Sequence, residues 1–203
     1  MTRRSRADEH EEFYRTQLGK EVLDEEVRLL MDRLPERGRV LSAGCGIGVH
    51  EATMQARRPE IQVLCLDLQR EMVALVPAGL HALQGDMTAL PFPDGTFDGA
   101  FVVTALELVP EPAVAVAELA RVLRPGGALV LLALNPVSQW GRDRLRQLPA
   151  TWGTLEDLVA MVEAATGSPA DVEPSLNLEG DVLREAVGME DAALLVVTAR
   201  VPS

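Results

Sequence analysis

The glycine-rich run at residues 44–48 has the residue types and spacing of a ligand-binding loop. It reads Gly44-Cys45-Gly46-Ile47-Gly48 and lies between a short apolar run and a helical pattern. Glycines allow a tight turn and a close approach of a ligand, and a helix start presents backbone N–H groups without partners. The dinucleotide fingerprint needs a further glycine where Val49 stands, and no phosphate-loop lysine follows. The run therefore predicts a ligand loop of another kind.

Two acidic residues follow at positions that suit the remaining groups of a nucleoside. Asp67 ends the second apolar run, nineteen residues after Gly48, where a carboxylate can accept hydrogen bonds from both ribose hydroxyls. Hydrogen bonds to a charged group contribute about 1.5–3 kcal/mol each. Asp86 follows Gly85 after a third apolar run, where it can accept from an adenine amino group while the Met87 N–H meets a ring nitrogen. The three segments together predict a nucleoside site.

The surrounding elements are predicted to bring these segments to one edge of a parallel sheet. Apolar runs alternate with helical patterns over residues 39–134, an order typical of a parallel sheet covered by helices on both faces. Such sheets bind ligands at the carboxyl ends of their strands. Residues 8–34 predict a helix that breaks or bends near Gly19. Residues 171–178 and 192–201 predict two strands suited to an antiparallel edge.

Length and composition favour one globular domain and exclude several function classes. The chain has 203 residues, of which 47% are hydrophobic and 25% charged, which is ordinary globular usage. A net charge of −12 with 3% aromatic residues disfavours nucleic-acid binding. No apolar run approaches the roughly 20 residues that span a bilayer, and no export signal is evident, so no membrane role is expected. The composition suits either a monomer or a homodimer.

The cysteines and histidines predict neither a disulfide framework nor a metal site. Cys45 and Cys65 lie inside glycine-rich or apolar runs, which favours a reducing, cytoplasmic environment. His10, His50 and His81 are scattered and form no metal-ligand spacing with either cysteine. We therefore expect no bound metal.

Four segments in this order resemble the successive motifs of a known family. They read VLSAGCGIG, VLCLDLQREMV, LQGDMTALPFPDGTFD and ELARVLRPGGALVL. They are similar to class I S-adenosylmethionine-dependent methyltransferases, with the type 11 group, which includes many small-molecule methyltransferases, as the nearest match. The resemblance implies an α/β fold, a Rossmann-like seven-stranded mostly parallel sheet with helices on both faces and an antiparallel last strand. It also implies one domain over residues 1–203, with cover helices at 8–34, a cofactor-binding core at 38–135, and an acceptor-side segment with C-terminal strands at 136–203.

The same resemblance assigns residues to S-adenosyl-L-methionine, whose product is S-adenosyl-L-homocysteine. It implies that the glycine loop lines the methionine part, that Asp67 holds the ribose, and that Leu68 packs on the adenine. The segment after the fourth strand is implied to close over the sulfonium. The full implied set is Ser42, Ala43, Gly44, Cys45, Gly46, Gly48, Asp67, Leu68, Gly85, Asp86, Met87, Thr104, Ala105 and Leu106.

Ser42 departs from the family pattern, which usually has an acid there to orient the cofactor's ammonium group. Serine supplies no charge, so Glu107 or an N-terminal residue is expected to compensate. Glu107 and Tyr14 are the candidate catalytic residues, because Glu107 follows the fourth strand and Tyr14 lies on the first helix. Phe13, Tyr14 and Gly19 are candidates for a lid. The alternatives are a solvated loop acid for Glu107 and ordinary helix packing for Tyr14.

The predicted function is in-line transfer of a methyl group to a small-molecule acceptor. Proximity and alignment can supply much of the rate, about 7–11 kcal/mol in favourable cases, so an enzyme needs no obvious general base. Two alternatives stay open. One is a non-catalytic protein that binds S-adenosylmethionine or S-adenosylhomocysteine. The other is a nicotinamide-dependent oxidoreductase, against which Val49 and the pair Gly85-Asp86 count.

Overall fold

The computed structural model describes residues 6–146, 148, 152–179 and 182–203 and has a seven-stranded sheet at its centre. The strands in chain order are β1 (Gly38–Ala43), β2 (Ile61–Asp67), β3 (His81–Gln84), β4 (Phe97–Val103), β5 (Leu123–Leu134), β6 (Asp171–Ser175), β7 (Asn177–Glu179), β8 (Val182–Arg184) and β9 (Leu194–Arg200). The order across the sheet is β3-β2-β1-β4-β5-β9-β6, and β7 pairs separately with β8. Pairs among β1–β5 are parallel, and β9 runs antiparallel to β5 and β6. The predicted sheet with its antiparallel last strand is therefore confirmed.

The C-terminal strands differ from the sequence-based expectation in where they lie. They pair in antiparallel fashion as predicted, but only β6 lies at the edge, because β9 is inserted between β5 and β6. Residues 194–197 and 199 of β9 are buried, as a strand with neighbours on both sides requires. The last apolar run of the chain therefore completes the interior of the sheet.

Seven helices and one short 3₁₀ turn are present in the described part of the chain. They are α1 (Arg6–Arg15), α2 (Gln17–Arg33), α3 (Val49–Arg57), α4 (Arg70–Val73), the 3₁₀ turn Leu106–Leu108, α5 (Pro112–Val122), α6 (Gln139–Leu145) and α7 (Leu155–Thr166). No helix in the described ranges is both long enough and apolar enough to cross a bilayer.

The N-terminal helix breaks at Thr16, three residues before the position expected from Gly19. Thr16 is the N-cap of α2, and its hydroxyl accepts a hydrogen bond from the Gly19 N–H at 2.9 Å. Gly19 contributes to the break through its lack of a side chain. A Cβ at Gly19 would lie 2.0 Å from the carbonyl oxygen of Phe13, so only glycine lets the end of α1 pack against the first turn of α2.

Both faces of the sheet are covered by apolar helix faces. On one face, Val116 and Leu119 of α5 and Leu158 of α7 are fully buried. On the other face, Leu30 of α2 and Met54 of α3 are fully buried. Full burial of such a side chain stabilises the fold by about 1.5–3 kcal/mol. The packing holds the carboxyl ends of the strands at a common edge.

Candidate functional site

Two adjoining cavities lie at the carboxyl ends of the parallel strands. One, of about 560 Å³, lies between α1 and the ends of β1, β2 and β4. The other, of about 300 Å³, lies between the ends of β2 and β3 and the segment after β4. The residues that line both cavities are Gly44, Asp67, Gln69, Ala105 and Leu108. Because they share these walls, the two cavities form one elongated site.

Most of the residues predicted to bind the cofactor line this site. Those on the larger cavity are Ser42, Gly44, Cys45, Gly46, Asp67, Thr104 and Ala105, with the lid candidates Phe13 and Tyr14. Those on the smaller cavity are Gly44, Asp67, Leu68, Gly85, Asp86, Met87 and Ala105. Ala43 and Leu106 line neither cavity, since both side chains are buried in the core under the sheet edge. Gly48 is instead the N-cap of α3.

The glycine loop needs glycine for its backbone and for its packing. Gly44, Gly46 and Gly48 have φ angles of 78°, 56° and 78°, a left-handed conformation that side chains disfavour. A Cβ at Gly44 would lie 2.5 Å from the Cβ of Ala105. The loop therefore lies directly against the segment after β4, which keeps the two walls of the site together.

Asp67 lies at the junction of the two cavities and holds the surrounding backbone. Its Oδ2 accepts a hydrogen bond from the Gly46 N–H at 2.8 Å, and its Oδ1 accepts one from the Gln69 N–H at 2.8 Å. The side chain is buried. A carboxylate has about four acceptor sites, so two backbone bonds leave room for hydroxyl donors from a ligand.

The smaller cavity combines an acidic turn with apolar walls. Asp86 Oδ1 accepts hydrogen bonds from the N–H and the hydroxyl of Thr88 at 2.8 and 2.7 Å, which fixes the turn after β3. Met87 is buried beside it, whereas Leu68 is 63% exposed. An apolar side chain left open at the mouth of a cavity gains burial when a flat ligand packs on it. This end of the site suits a heteroaromatic ring.

Thr104 has a strained backbone at the end of β4. Its φ angle is 43°, in the left-handed region that non-glycine residues rarely adopt, and its N–H donates to the carbonyl oxygen of Leu132 at 2.8 Å. Backbone strain of this kind costs about 1–3 kcal/mol and clusters at functional sites. The strain directs the chain from β4 into the segment that lines both cavities.

The α1 side of the larger cavity is built from aromatic and charged side chains. The Tyr14 ring packs edge-on against the rings of His10 and His50, at centroid distances of 5.0 and 5.6 Å. His50 Nε2 lies 2.8 Å from Glu26 Oε2, and both of these side chains are buried. This chain of contacts joins α1 and α2 to α3 over the glycine loop.

Burial and the Glu26 carboxylate shift the pKa values of this cluster. Burial acts to lower the pKa of His50, but the hydrogen bond and charge of Glu26 outweigh it, so this pKa is raised overall. Burial lowers the pKa of His10 and raises that of Tyr14 well above its usual range. The contact with Glu26 therefore favours the charged form of His50, whereas burial disfavours the charged forms of His10 and Tyr14.

Glu107 does not face the acceptor side of the site, which corrects the sequence-based expectation. The 3₁₀ turn Leu106–Leu108 directs its side chain inward, where Oε1 accepts a hydrogen bond from the Leu134 N–H at 2.6 Å. The carboxyl group is fully buried, lines neither cavity, and has its pKa raised by burial to about 7. Glu107 therefore joins the turn after β4 to the end of β5.

An acid that the sequence analysis did not single out, Glu51, lies beside Ser42. The Ser42 hydroxyl donates a hydrogen bond to Glu51 Oε1, and both residues line the larger cavity. The expectation that Glu107 compensates for Ser42 is wrong, because its carboxyl group is held at the end of β5. The available sequence signal was the position of Glu51 in the first turn of the helix that follows the loop.

A larger cavity, of about 1180 Å³, lies elsewhere and is an ion-paired groove. It runs between α2 and the segment β6–β8. Arg28, Arg33 and Arg57 line it, and they form ion pairs with Glu25, Glu173 and Asp24 respectively. These three arginines thus already have acidic partners, and the site at the strand ends is the better candidate.

The sequence profile of the methyltransferase domain family matches residues 41–131. Over these residues the chain is similar to the type 11 methyltransferase domain. The matched range contains the end of β1, the glycine loop, Asp67, Asp86 and Thr104, so it includes the walls of the two cavities that lie at the strand ends.

Named relatives and a solved structure agree with this family. A 2-methyl-6-phytyl-1,4-hydroquinone methyltransferase of Synechocystis sp. is 34% identical over 135 residues, which are 60% of this chain and 42% of that protein. A demethylmenaquinone methyltransferase of Thermus thermophilus is 32% identical over 117 residues, which are 54% of this chain and 52% of that protein. The chain thus spans about half the length of the curated relatives it matches. The crystal structure of an S-adenosylmethionine-dependent methyltransferase from Thermotoga maritima has the same fold, with a TM-score of 0.76, 21% identity, and coverage of 96% of this chain and 95% of that one.

Proposed function

We propose that this protein binds S-adenosyl-L-methionine and transfers a methyl group to a small-molecule acceptor. The observation that carries the proposal is the elongated site whose two cavities meet at Asp67. A ligand with an amino-acid group at one end, a ribose in the middle and an adenine at the other end matches this order of walls. The type 11 family match over residues 41–131 supports the same ligand.

The residues of the site fit the three parts of that cofactor. The larger cavity has the glycine loop and a buried Glu51 carboxylate oxygen without a hydrogen-bond partner, which suits an amino-acid group. Asp67 suits a ribose, since its carboxylate lies at the junction. The smaller cavity suits adenine, because Leu68 and Met87 are apolar and Asp86 is an acceptor.

The chain contributes positioning rather than a strong base. When bound, the cofactor supplies an activated methyl group on its sulfonium for in-line displacement by an acceptor atom. The α1 residues Phe13 and Tyr14 exclude water from the larger cavity, and the strained Thr104 fixes the wall opposite them. Holding two reactants in line contributes about 7–11 kcal/mol in favourable cases. An acceptor that is already deprotonated then needs no general base.

The acceptor is proposed to be a small molecule that enters beside α1. The relatives named above carry names of hydroquinone and menaquinone methyltransferases, which makes quinol-type compounds the first acceptors to test. The net charge of −12 supports an acceptor other than nucleic acid. The buried free thiols of Cys45 and Cys65 support a cytoplasmic location. We propose a single domain that acts as a monomer or homodimer.

Calorimetric titration with S-adenosylhomocysteine tests the proposal, with NAD and NADP as controls. Micromolar binding of S-adenosylhomocysteine alone is the expected result, and methyl transfer to an acceptor panel is then measured with S-adenosylmethionine. Binding of NAD instead would establish the oxidoreductase alternative. Binding of S-adenosylhomocysteine without turnover on any acceptor would favour the non-catalytic alternative.

A further inference from the structure

The environment of Ser42 contains a buried acid on a different element. Ser42 is the last but one residue of β1, just before the glycine loop, and its hydroxyl donates a hydrogen bond to Glu51 Oε1. Glu51 lies in the first turn of α3, where the helix dipole favours a negative charge, and it is 1% exposed. The serine is therefore a donor that orients a carboxylate.

One oxygen of this carboxylate has no partner. Glu51 Oε2 is buried and accepts no hydrogen bond from the described residues. Buried polar atoms are nearly always paired, so each exception calls for an explanation, such as a ligand that completes it. Glu51 and Ser42 both line the larger cavity, next to Gly44 and Gly46. The unpaired acceptor thus belongs to the wall of the ligand site.

The neighbours of Glu51 leave this acceptor open for a cation. His50 is engaged by Glu26 at 2.8 Å, and Asp67 is engaged by the N–H groups of Gly46 and Gln69. No ion pair among the described residues includes Glu51. Burial raises the pKa of Glu51, and a ligand cation with N–H donors would satisfy the free oxygen and favour the ionised carboxylate.

We propose that Glu51, oriented by Ser42, binds the α-ammonium group in the methionine part of the cofactor. The family pattern has its acid at the position of Ser42. In this chain the acid is Glu51 in the first turn of α3, and its hydrogen bond with Ser42 holds it at the same cavity. This inference rests on the proposed function, because it assigns one contact within that cofactor site. It predicts that Glu51 recognises the amino-acid part and leaves the nucleoside part unaffected.

Two ligands separate these parts in a binding experiment. S-adenosylhomocysteine contains both, whereas 5′-methylthioadenosine has the nucleoside thioether without the amino-acid group. Glu51→Gln is expected to weaken S-adenosylhomocysteine binding about tenfold or more, about 1.4 kcal/mol, and to leave 5′-methylthioadenosine binding within about twofold. Asp67→Asn is the matched control, since it should weaken both ligands by similar factors.

A rescue variant distinguishes ligand recognition from a merely structural role. The double variant Ser42→Asp with Glu51→Gln returns the acid to the end of β1 and keeps a hydrogen-bonding side chain at position 51. It is expected to regain most of the lost S-adenosylhomocysteine affinity. Ser42→Ala, which leaves the acid in place without its donor, is expected to weaken S-adenosylhomocysteine alone, by a smaller factor. This variant serves as the test if Glu51→Gln does not fold, as judged by circular dichroism.

The outcomes separate this inference from the proposed function. If the wild-type protein binds both ligands and Glu51→Gln changes neither or both equally, Glu51 does not recognise the ammonium group, while the cofactor site stands. Glu51 also does not recognise the ammonium group if Ser42→Ala binds S-adenosylhomocysteine as the wild type does and the double variant Ser42→Asp with Glu51→Gln regains no affinity. If the wild-type protein binds neither ligand, the proposed function fails and this inference fails with it.

Discussion

Asp67 accepts a hydrogen bond from the backbone N–H of Gly46 at 2.8 Å, and this contact ties the end of β2 to the glycine loop after β1. The second carboxylate oxygen accepts from the Gln69 N–H at 2.8 Å. The same buried side chain lies on the walls of both cavities. Asp67 therefore shapes the loop and also presents its remaining acceptor sites to a ligand.

Asp67→Ala is expected to weaken S-adenosylhomocysteine binding at least about tenfold, about 1.4 kcal/mol, because it removes acceptors for the ribose and releases Gly46. Calorimetric titration measures the dissociation constant, and circular dichroism verifies the fold. Asp94→Ala is the control, since Asp94 is 80% exposed, forms an ion pair with Arg121 and lines neither cavity. Unchanged affinity in Asp67→Ala would mean that the ribose lies elsewhere.

Comparing Gly44→Ala with Gly95→Ala separates the cost of a steric clash from the cost of a left-handed backbone. Both glycines have left-handed φ angles, of 78° and 65°, so alanine costs about 1–2 kcal/mol at either position. Only at Gly44 would the new Cβ clash, 2.5 Å from the Ala105 Cβ, whereas at Gly95 the nearest atom is 3.8 Å away. We expect Gly44→Ala to lower the melting temperature further and to abolish S-adenosylhomocysteine binding. Equal melting temperatures for the two variants would contradict the close contact with Ala105.

The order of elements could be predicted because burial on both faces of a parallel sheet leaves continuous apolar runs. β1, β2 and β4 end close to where those runs end, and β3 lies at residues 81–84. The position of β9 could not be predicted, since its apolar run suits an edge or an interior strand equally. Its place between β5 and β6 depends on pairing across distant parts of the chain.

The site could be predicted in its backbone but not in its side-chain partners. The glycine loop, Asp67 and Asp86 follow strand ends, so topology alone brings them to one edge. Glu26 and His50 pair between two helices, and no periodicity in either helix indicates that contact. Glu107 shows the same limit, because its place after β4 does not determine which way a 3₁₀ turn directs its side chain.

Glu26→Ala and Glu25→Ala compare a buried ion pair with a more exposed one on the same helix. Removing Glu26 breaks its buried pair with His50, which costs about 3–5 kcal/mol. Removing Glu25 breaks a pair with Arg28, whose side chain is 55% exposed, and costs at most about 1 kcal/mol. Urea unfolding measures both free energies. The pKa of His50, followed by NMR, should fall in Glu26→Ala, since burial then acts without the carboxylate. Equal losses of stability would contradict a structural role for the buried pair.

Glu107→Gln is expected to change how stability depends on pH. Burial raises the pKa of Glu107 from 4.5 to about 7, so the folded state holds a proton that the unfolded state releases. Its contribution to stability is therefore complete below about pH 4.5 and is lost as the pH rises to about 7, a loss of order 3 kcal/mol. Glutamine mimics the protonated acid, so the variant should match the wild type near pH 4.5 and melt at a higher temperature at pH 8. Glu111→Gln, at an exposed position, controls for removal of a charge. A constant difference in melting temperature between pH 4.5 and 8 would show that Glu107 does not titrate in that range.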